Sequence, residues 1–299
     1  MKSLPFSRAE RGFTLVEAVL AIVIIGIIGA IVAVFIRAPV LGFTESAERA
    51  GATDEADLAL RRMARDLRLA LPNSVQVTAG GDAVEFMLTS TGGRYLSVDD
   101  DVPGLPALEF DNPANKQFAV ICGTMRPIEA GNYIVVYNLG PGSVPSDAYR
   151  YRGGVDTANT GEMNIAKVVS VDNPGTATPL VTLEDNPFAR QSVPMVSPSQ
   201  RFQVVTTPVS YQCERLPDGS LGLVRYWDYP INAALQVPPQ GGARRAVIAR
   251  RVAACNGIFQ YGSAATRRSA LVILNLPLSL AKGNGQLRLV HQVHVDNTP

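Results

Sequence analysis

Apolar residues are concentrated in one run near the amino terminus. From Phe13 to Ile36 the chain contains a single ionisable residue, Glu17. At about 1.5 Å per residue this run makes a helix of about 36 Å, enough to cross a hydrocarbon core of about 30 Å. A secretory signal peptide has a shorter apolar core, of about 7 to 15 residues, followed by its cleavage site. The pattern therefore predicts a membrane-spanning helix over residues 13–38.

A second helical pattern extends over residues 39–72. Pro39 should kink or locally open the helix, because proline lacks an amide hydrogen and clashes with the preceding turn. Pro72 should close it. Between them, apolar side chains recur at helical spacing and form one stripe, which consists of Ala56, Leu60, Met63, Leu67 and Leu71. We expect this stripe to pack on a folded domain.

Beyond Pro72 the pattern changes to short runs rich in Val, Ile, Tyr and Phe, separated by Gly, Pro, Asn and Asp. This spacing predicts several strands of an antiparallel sheet. The clearest runs begin at Ala83, Tyr133, Asn164, Gly222, Ala270 and Gln286. The tracts from Gly140 to Gly161 and from Pro230 to Gly242 are predicted to be surface loops. The expected fold class is α+β, with a long amino-terminal transmembrane helix packed on an antiparallel, β-rich carboxy-terminal domain over residues 73–299.

The charge of the chain gives no reason to expect a nucleic-acid partner. The net charge is +1, whereas affinity for phosphate backbones comes from a clustered excess of Lys and Arg. The second helix carries four arginines that we interpret as one exposed face. These arginines are Arg61, Arg62, Arg65 and Arg68, and the acids expected to offset them are Asp54, Glu55, Asp57 and Asp66.

The three cysteines do not form a metal-binding pattern. Cys122, Cys213 and Cys255 are too few and too far apart for a zinc or iron–sulfur site, which usually needs close pairs. In an oxidising compartment they allow one disulfide and leave one thiol. We favour Cys213 with Cys255, because both lie in strand-like segments of the carboxy-terminal portion, although the sequence leaves all three pairings open.

Patterns typical of catalysis are missing from the sequence, which has no G-x-S-x-G, no phosphate-binding loop and no H-E-x-x-H. His291 and His294 lie three apart in a predicted strand, where alternation places them on opposite faces. A group of acids lacks the spacing of a calcium-binding loop and is interpreted as a solvated turn. These acids are Asp99, Asp100, Asp101, Glu109 and Asp111. We expect no enzyme activity, no metal site and no cofactor.

Basic residues precede the apolar run. Lys2, Arg8 and Arg11 lie before it, and Gly12 stands directly at its start. Positive charge held on the cytoplasmic side sets the orientation of a membrane helix. The amino end should therefore stay in the cytoplasm and the carboxyl end should be exported.

Glu17 is the most informative residue of the apolar run. A carboxylate near the middle of a bilayer costs about 2.5 to 3.5 kcal/mol and usually has a partner. No Lys, Arg or His lies between Phe13 and Ile36. We therefore expect the partner of Glu17 to come from another molecule.

The segment GFTLVEAVLAIVIIGIIGAI resembles the prepilin-type signal of type IV pilins and type II secretion pseudopilins. A glycine, an aromatic residue, Thr-Leu and a glutamate at the fifth place after the glycine lead an apolar helix. The resemblance implies a leader peptide over residues 1–12, cleavage by prepilin peptidase between Gly12 and Phe13, and methylation of the new amino group of Phe13. It also implies that Glu17 pairs with the amino terminus of an adjacent subunit.

Other segments resemble minor pilins of mannose-sensitive haemagglutinin (MSHA) pilus biogenesis. These segments are ADLALRRMARDLRLALPNSV, VSYQCE, GLVRYWDY and HQVHVDNTP. The resemblance implies a low-copy assembly subunit of the bacterial inner membrane, with its carboxy-terminal domain in the periplasm or incorporated in a surface pilus. Implied partners are other major and minor pilin-like subunits, prepilin peptidase, the inner-membrane platform protein and the assembly ATPase. A minor pseudopilin of type II secretion, a related minor pilin and a tip adhesin remain the alternatives.

Overall fold

The structure, a computed structural model, describes residues 12–152, 155–156, 161–232, 234–262, 270–280 and 285–299. The predicted leader lies outside the described residues except for Gly12. The chain divides into two compact units, Met1–Gly51 and Ala52–Pro299. We call the second unit the β-rich domain.

One helix, α1, extends over Leu15–Arg68 and has 54 residues. Pro39 lies inside it and does not end it, so the helix stays continuous there, and a kink at Pro39 stays a prediction. A proline removes one backbone hydrogen bond, and the helical residues on both sides continue the ladder here. Arg65 and Arg68 lie in the last turn, where positive charge complements the helix dipole.

The helix ends four residues before Pro72, the predicted terminus. The backbone N–H of Leu71 donates to the carbonyl of Met87, and the N–H of Thr89 donates to the carbonyl of Leu69, both over 2.8 Å. The backbone of residues 69–71 therefore pairs with a strand instead of adding a further helical turn.

Fourteen strands are formed by the described residues, and every pairing between them is antiparallel. They are β1 Gln76–Val77, β2 Ala83–Tyr95, β3 Gln117–Ile121, β4 Tyr133–Val135, β5 Tyr151–Arg152, β6 Val155–Asp156, β7 Ile165–Asp172, β8 Leu180–Leu183, β9 Arg201–Arg215, β10 Leu221–Trp227, β11 Arg244–Ala249, β12 Phe259–Gln260, β13 Leu271–Ser279 and β14 Gln286–His294. All six predicted runs are strands, and the α+β fold class is confirmed. Short 3₁₀ helices extend over Val98–Asp100, Ala148–Arg150 and Pro187–Arg190.

The strands form one large and two small sheets. The nine-stranded sheet has the order β1-β2-β3-β8-β7-β4-β9-β10-β11, and an additional pairing of β2 with β9 closes six of its strands into a ring. A three-stranded sheet has the order β12-β13-β14, and β5 pairs with β6. The tract from Gly140 to Gly161 thus contains a short hairpin and a buried 3₁₀ helix around Tyr149, so the prediction of a surface loop is wrong there.

The predicted helical stripe is buried, as expected. Its members within α1 are at most 3% exposed and join one core with residues of the nine-stranded and three-stranded sheets. Representative partners are Phe86 of β2, Tyr211 of β9 and Leu276 of β13. The described strands of the six-strand ring enclose a second core that includes Phe118 and Phe202, whose rings meet edge to face at 5.7 Å.

Candidate assembly site at the amino terminus

The start of α1 is a capping box formed by Thr14 and Glu17. The carbonyl of Thr14 accepts the first intrahelical bond, from Ala18 N–H, over 3.1 Å. The hydroxyl of Thr14 accepts from the Glu17 N–H over 3.3 Å. In return Glu17 Oε2 accepts from the Thr14 N–H over 3.1 Å and from the Thr14 hydroxyl over 2.9 Å. This reciprocal pattern satisfies two amide groups that the first turn would otherwise leave unpaired.

Glu17 thus finds polar contacts within its own helix, whereas a charged partner from another molecule stays a prediction. Two donors of Thr14 reach its carboxylate, and both end on Oε2. Neither donor carries a charge, so the negative charge of the carboxylate is not neutralised by them. Within the described chain, Oε1 remains available to a further donor. Sequence reasoning missed Thr14, although T-x-x-E before an apolar run is a recognisable signal.

The apolar helix that follows is exposed. Leu15–Ile36 is long and apolar enough to cross a membrane, and none of it is buried within the chain. A contiguous apolar surface of this size marks contact with lipid or with other proteins. Phe13, at its start, is 77% exposed. The described segment thus presents a carboxylate at one end of an unburied apolar rod.

Among the described residues, Gly12 has no steric reason to be glycine. A Cβ atom built at this position meets nothing within 4 Å. Its backbone is not in the left-handed region either.

Comparison with known proteins identifies the same segment. Residues 7–33 match the prokaryotic N-terminal methylation motif. The amino terminus is of the prepilin type. This match supports a type IV pilin-like or pseudopilin-type subunit that is anchored in a membrane, and proteins with this motif are structural subunits rather than enzymes. No curated protein and no solved structure matches the chain.

The β-rich domain holds the remaining candidate residues apart. His291 is half-buried and His294 is exposed, as expected for opposite faces of β14. Asp100 binds Arg94 over 2.7 Å, whereas Glu109 accepts from Asn115 over 2.9 Å. Among the described residues, no group of three or more His, Cys, Asp or Glu is placed to hold a metal ion.

Cys213 and Cys255 form a disulfide, with their Cα atoms 5.3 Å apart. This is the pairing that the sequence favoured. Cys213 lies in β9 and belongs to the core that α1 shares with the two larger sheets. Cys122 is a free thiol on the surface.

A buried ion pair attaches α1 to the nine-stranded sheet. Asp66 Oδ2 accepts from Arg225 Nε and from the hydroxyl of Tyr211, each over 2.8 Å. The side chains of Arg225 and Asp66 are only 9% and 12% exposed. Burial next to this carboxylate raises the pKa of Tyr211. Asp66 therefore does not offset the surface arginines as predicted, whereas Asp57 does bind Arg61, over 2.7 Å.

A second buried acid lies on the opposite face of the nine-stranded sheet. Glu85 of β2 is 3% exposed, and its Oε2 accepts from the hydroxyl of Tyr229 over 2.9 Å. Burial raises the pKa of Glu85 to about 7, and the bond from Tyr229 opposes this rise. Both residues lie near Tyr149, whose own pKa is raised by burial and by the Glu85 charge. Sequence patterns did not indicate this cluster.

Proposed function

We propose that the chain is a minor pilin-like subunit that takes part in the initiation or assembly of an MSHA-type pilus. Its leader is removed by prepilin peptidase between Gly12 and Phe13, and the new amino group of Phe13 is methylated. The observation that carries the proposal is the Glu17 carboxylate in the first turn of an exposed apolar helix.

Glu17 selects the register in which subunits associate. The Glu17 carboxylate is neutralised when the positively charged amino terminus of an adjacent subunit lies beside it. In any other register both charges stay unpaired in an apolar environment, which is strongly unfavourable. Correct longitudinal alignment is therefore the arrangement of lowest free energy.

Thr14 prepares Glu17 for this contact. Its two bonds hold Oε2 against the helix start, so Oε1 faces no competing donor of the described chain. Fixing the carboxylate before association lowers the entropy lost when subunits meet. Thr14 thus acts as a positioning residue, and Glu17 makes the intermolecular contact.

The size of the β-rich domain supports a minor rather than a major subunit. A bulky domain packs poorly along a helical fibre but is tolerated at a tip or in an initiation complex. We place this domain in the periplasm, with the amino terminus in the cytoplasm and the helix in the inner membrane. Its partners are other major and minor pilin-like subunits, while the platform protein and the assembly ATPase act on the growing fibre.

Replacing Glu17 by Gln tests the proposal, because it removes the charge and keeps the shape. We expect the Glu17→Gln chain to be cleaved and membrane-embedded but recovered in sheared pili at less than about one tenth of the normal amount. Glu48→Gln, a half-buried acid of the same helix beyond the apolar run, is the matched control and should assemble normally. Normal incorporation of Glu17→Gln would contradict the proposal that Glu17 selects the register.

Two further measurements separate the proposal from its alternatives. Mass spectrometry of the mature chain should show a methylated Phe13 at its amino terminus, and an intact leader or a cut beyond Ile36 would contradict processing. Deletion of the gene should abolish surface pili. Intact pili with lost attachment would instead indicate an adhesin, and intact pili with lost protein secretion would indicate a pseudopilin.

A further inference from the structure

The last strand, β14, presents an unpaired edge. Among the described strands it pairs only with β13, in a regular register over all nine residues. The N–H of Val295 donates to the carbonyl of Ala270, in phase with this register. Because antiparallel residues alternate between bonded and non-bonded pairs, the odd-numbered residues of β14 bond to β13. The even-numbered residues direct their N–H and C=O groups outward, where no described residue bonds to them.

The other sheet edges are protected in ways that β14 is not. β1, β5, β6 and β12 have two residues each. β11 carries Arg244 and Arg245, and its pairing with β10 contains a bulge. Short edges, charges and bulges are the usual devices against strand addition. β14 is long and regular, lacks proline, and has Arg288 as its only formal charge at neutral pH, so it can accept another strand.

We propose that β14 pairs antiparallel with β14 of a second copy of this chain, with Gln292 opposite Gln292. This register places Arg288 of each copy opposite Asp296 of the other, and both residues are exposed. It also covers Val290, which is 58% exposed, against His294. The outward groups of β14 then form about six backbone hydrogen bonds between the copies.

Charge selects this register over its neighbours. The side chains that meet in this pairing all come from even-numbered residues, so they lie on one face of the combined sheet. The odd-numbered residues of both copies, which are half-buried or buried, lie together on the other face. Centring the pair on Arg288 would place two arginines opposite each other, which is unfavourable. Centring it on Val290 would place Arg288 opposite Gln292 and form no ion pair. Only the register centred on Gln292 gives two pairs between Arg288 and Asp296.

Membrane anchoring favours this weak contact. A strand pair alone buries little surface, but two copies held by their apolar helices in one membrane meet at a raised effective concentration. The contact does not depend on the proposed role in pilus assembly. Failure of Glu17→Gln to assemble and failure of strand pairing are thus separate outcomes.

Cysteine cross-linking tests the register. The experiment uses the full-length chain in membranes, with Cys122→Ser as the background. Residues opposite each other in a bonded pair have Cα atoms about 5.5 Å apart, within the range of a disulfide. A mild oxidant should therefore join Gln292→Cys into a dimer. Val290→Cys, about four residues out of register, and Val247→Cys, on the β11 edge, should stay monomeric. Cross-linking of either control at the same yield, or none at position 292, would overturn the proposal.

Charge reversal tests the partner. In the Gln292→Cys reporter, Arg288→Asp alone and Asp296→Arg alone each turn two attractions into two repulsions and should lower the cross-linked fraction about tenfold. Co-expressing the two variants restores both ion pairs in a mixed dimer, so the yield should recover as a dimer of one copy of each. Unchanged yields for the single reversals, or no recovery in the mixture, would refute pairing with a second copy.

A proline at position 290 tests the backbone contact. The N–H of Val290 faces outward, so Val290→Pro removes no bond to β13, and proline is tolerated at such edge positions. The variant should keep the native fluorescence of Trp227, the only tryptophan. Its cross-linking through Gln292→Cys should fall to the level of the controls. An unchanged yield in the folded variant would exclude strand pairing.

Discussion

At the scale of single residues, Glu17 and Glu85 show how the surroundings of a glutamate decide whether its charge is kept. Glu17 is exposed and held by two donors of Thr14, so its charge stays available to another molecule. Glu85 is buried and receives one donor, the hydroxyl of Tyr229. A single neutral donor does not compensate for the lost hydration of a carboxylate, so the uncharged acid is favoured up to about pH 7. Glu85 therefore makes stability depend on pH.

The raised pKa of Glu85 predicts a loss of stability as pH rises. Folding raises this pKa from 4.5 to about 7, so the folded state binds the proton more tightly than the unfolded state. The resulting stabilisation is complete below about pH 4.5 and is lost as pH rises through 7. It amounts to about 3 kcal/mol. In chemical unfolding of the full chain in detergent, followed by Trp227 fluorescence, Glu85→Gln should gain that much relative to the wild type between pH 4.5 and 8.

Tyr229→Phe is the second variant for this prediction. The hydroxyl of Tyr229 lowers the pKa of Glu85, so removing it should raise that pKa and move the pH midpoint of the stability loss upward. A parallel pH dependence for the wild type and Glu85→Gln would show that folding does not raise the pKa of Glu85.

At the scale of secondary-structure elements, periodicity predicted the helix and its buried stripe but not the polar contacts that fix it. The spacing of Leu60, Met63 and Leu67 identifies a buried face without reference to a partner. Asp66 lies between these positions, and no local pattern shows that Arg225 meets it from a strand 159 residues away. The end of the helix was predicted too late for the same reason, because β2 competes for the backbone of residues 69–71.

The ion pair between Asp66 and Arg225 should be essential for docking α1 on the sheet. Asp66→Asn leaves the Arg225 guanidinium buried without a counter-charge, so we expect a loss of about 3 to 5 kcal/mol in the free energy of unfolding. The double variant Asp66→Leu with Arg225→Met replaces both charges by apolar groups and should recover most of that loss. Denaturant unfolding of the wild type, Asp66→Leu, Arg225→Met and the double variant gives the coupling energy of the pair.

Asp57→Asn is the matched control on the same helix. Asp57 and Arg61 form an exposed pair four residues apart, with side chains 44% and 75% exposed. Such pairs contribute about 0 to 1 kcal/mol. A loss for Asp66→Asn no larger than that for Asp57→Asn would mean that the buried pair does not fix the helix.

At the scale of the whole molecule, contacts distant in sequence determine the architecture. β2 pairs with β9 from Ala83 opposite Gln212 to Arg94 opposite Arg201. The sequence predicted a strand from Ala83 and a strand-like segment at Cys213, but strand order depends on pairings that a period of two does not encode. The disulfide is one of these distant links, because it joins β9 to the segment between β11 and β12 at the core shared by the two larger sheets.

Loss of the disulfide should destabilise the β-rich domain without changing its fold. The bond closes a loop with a sequence separation of 42, and loop-closure entropy for that length gives about 4 kcal/mol. The variant with both Cys213→Ser and Cys255→Ser should lose about that much in denaturant unfolding of the full chain. The oxidised wild type should react with one equivalent of maleimide, at Cys122. Cys122→Ser should abolish this labelling and leave stability unchanged, because Cys122 is exposed and unbonded. Labelling at three thiols in the untreated wild type would contradict the pairing of Cys213 with Cys255.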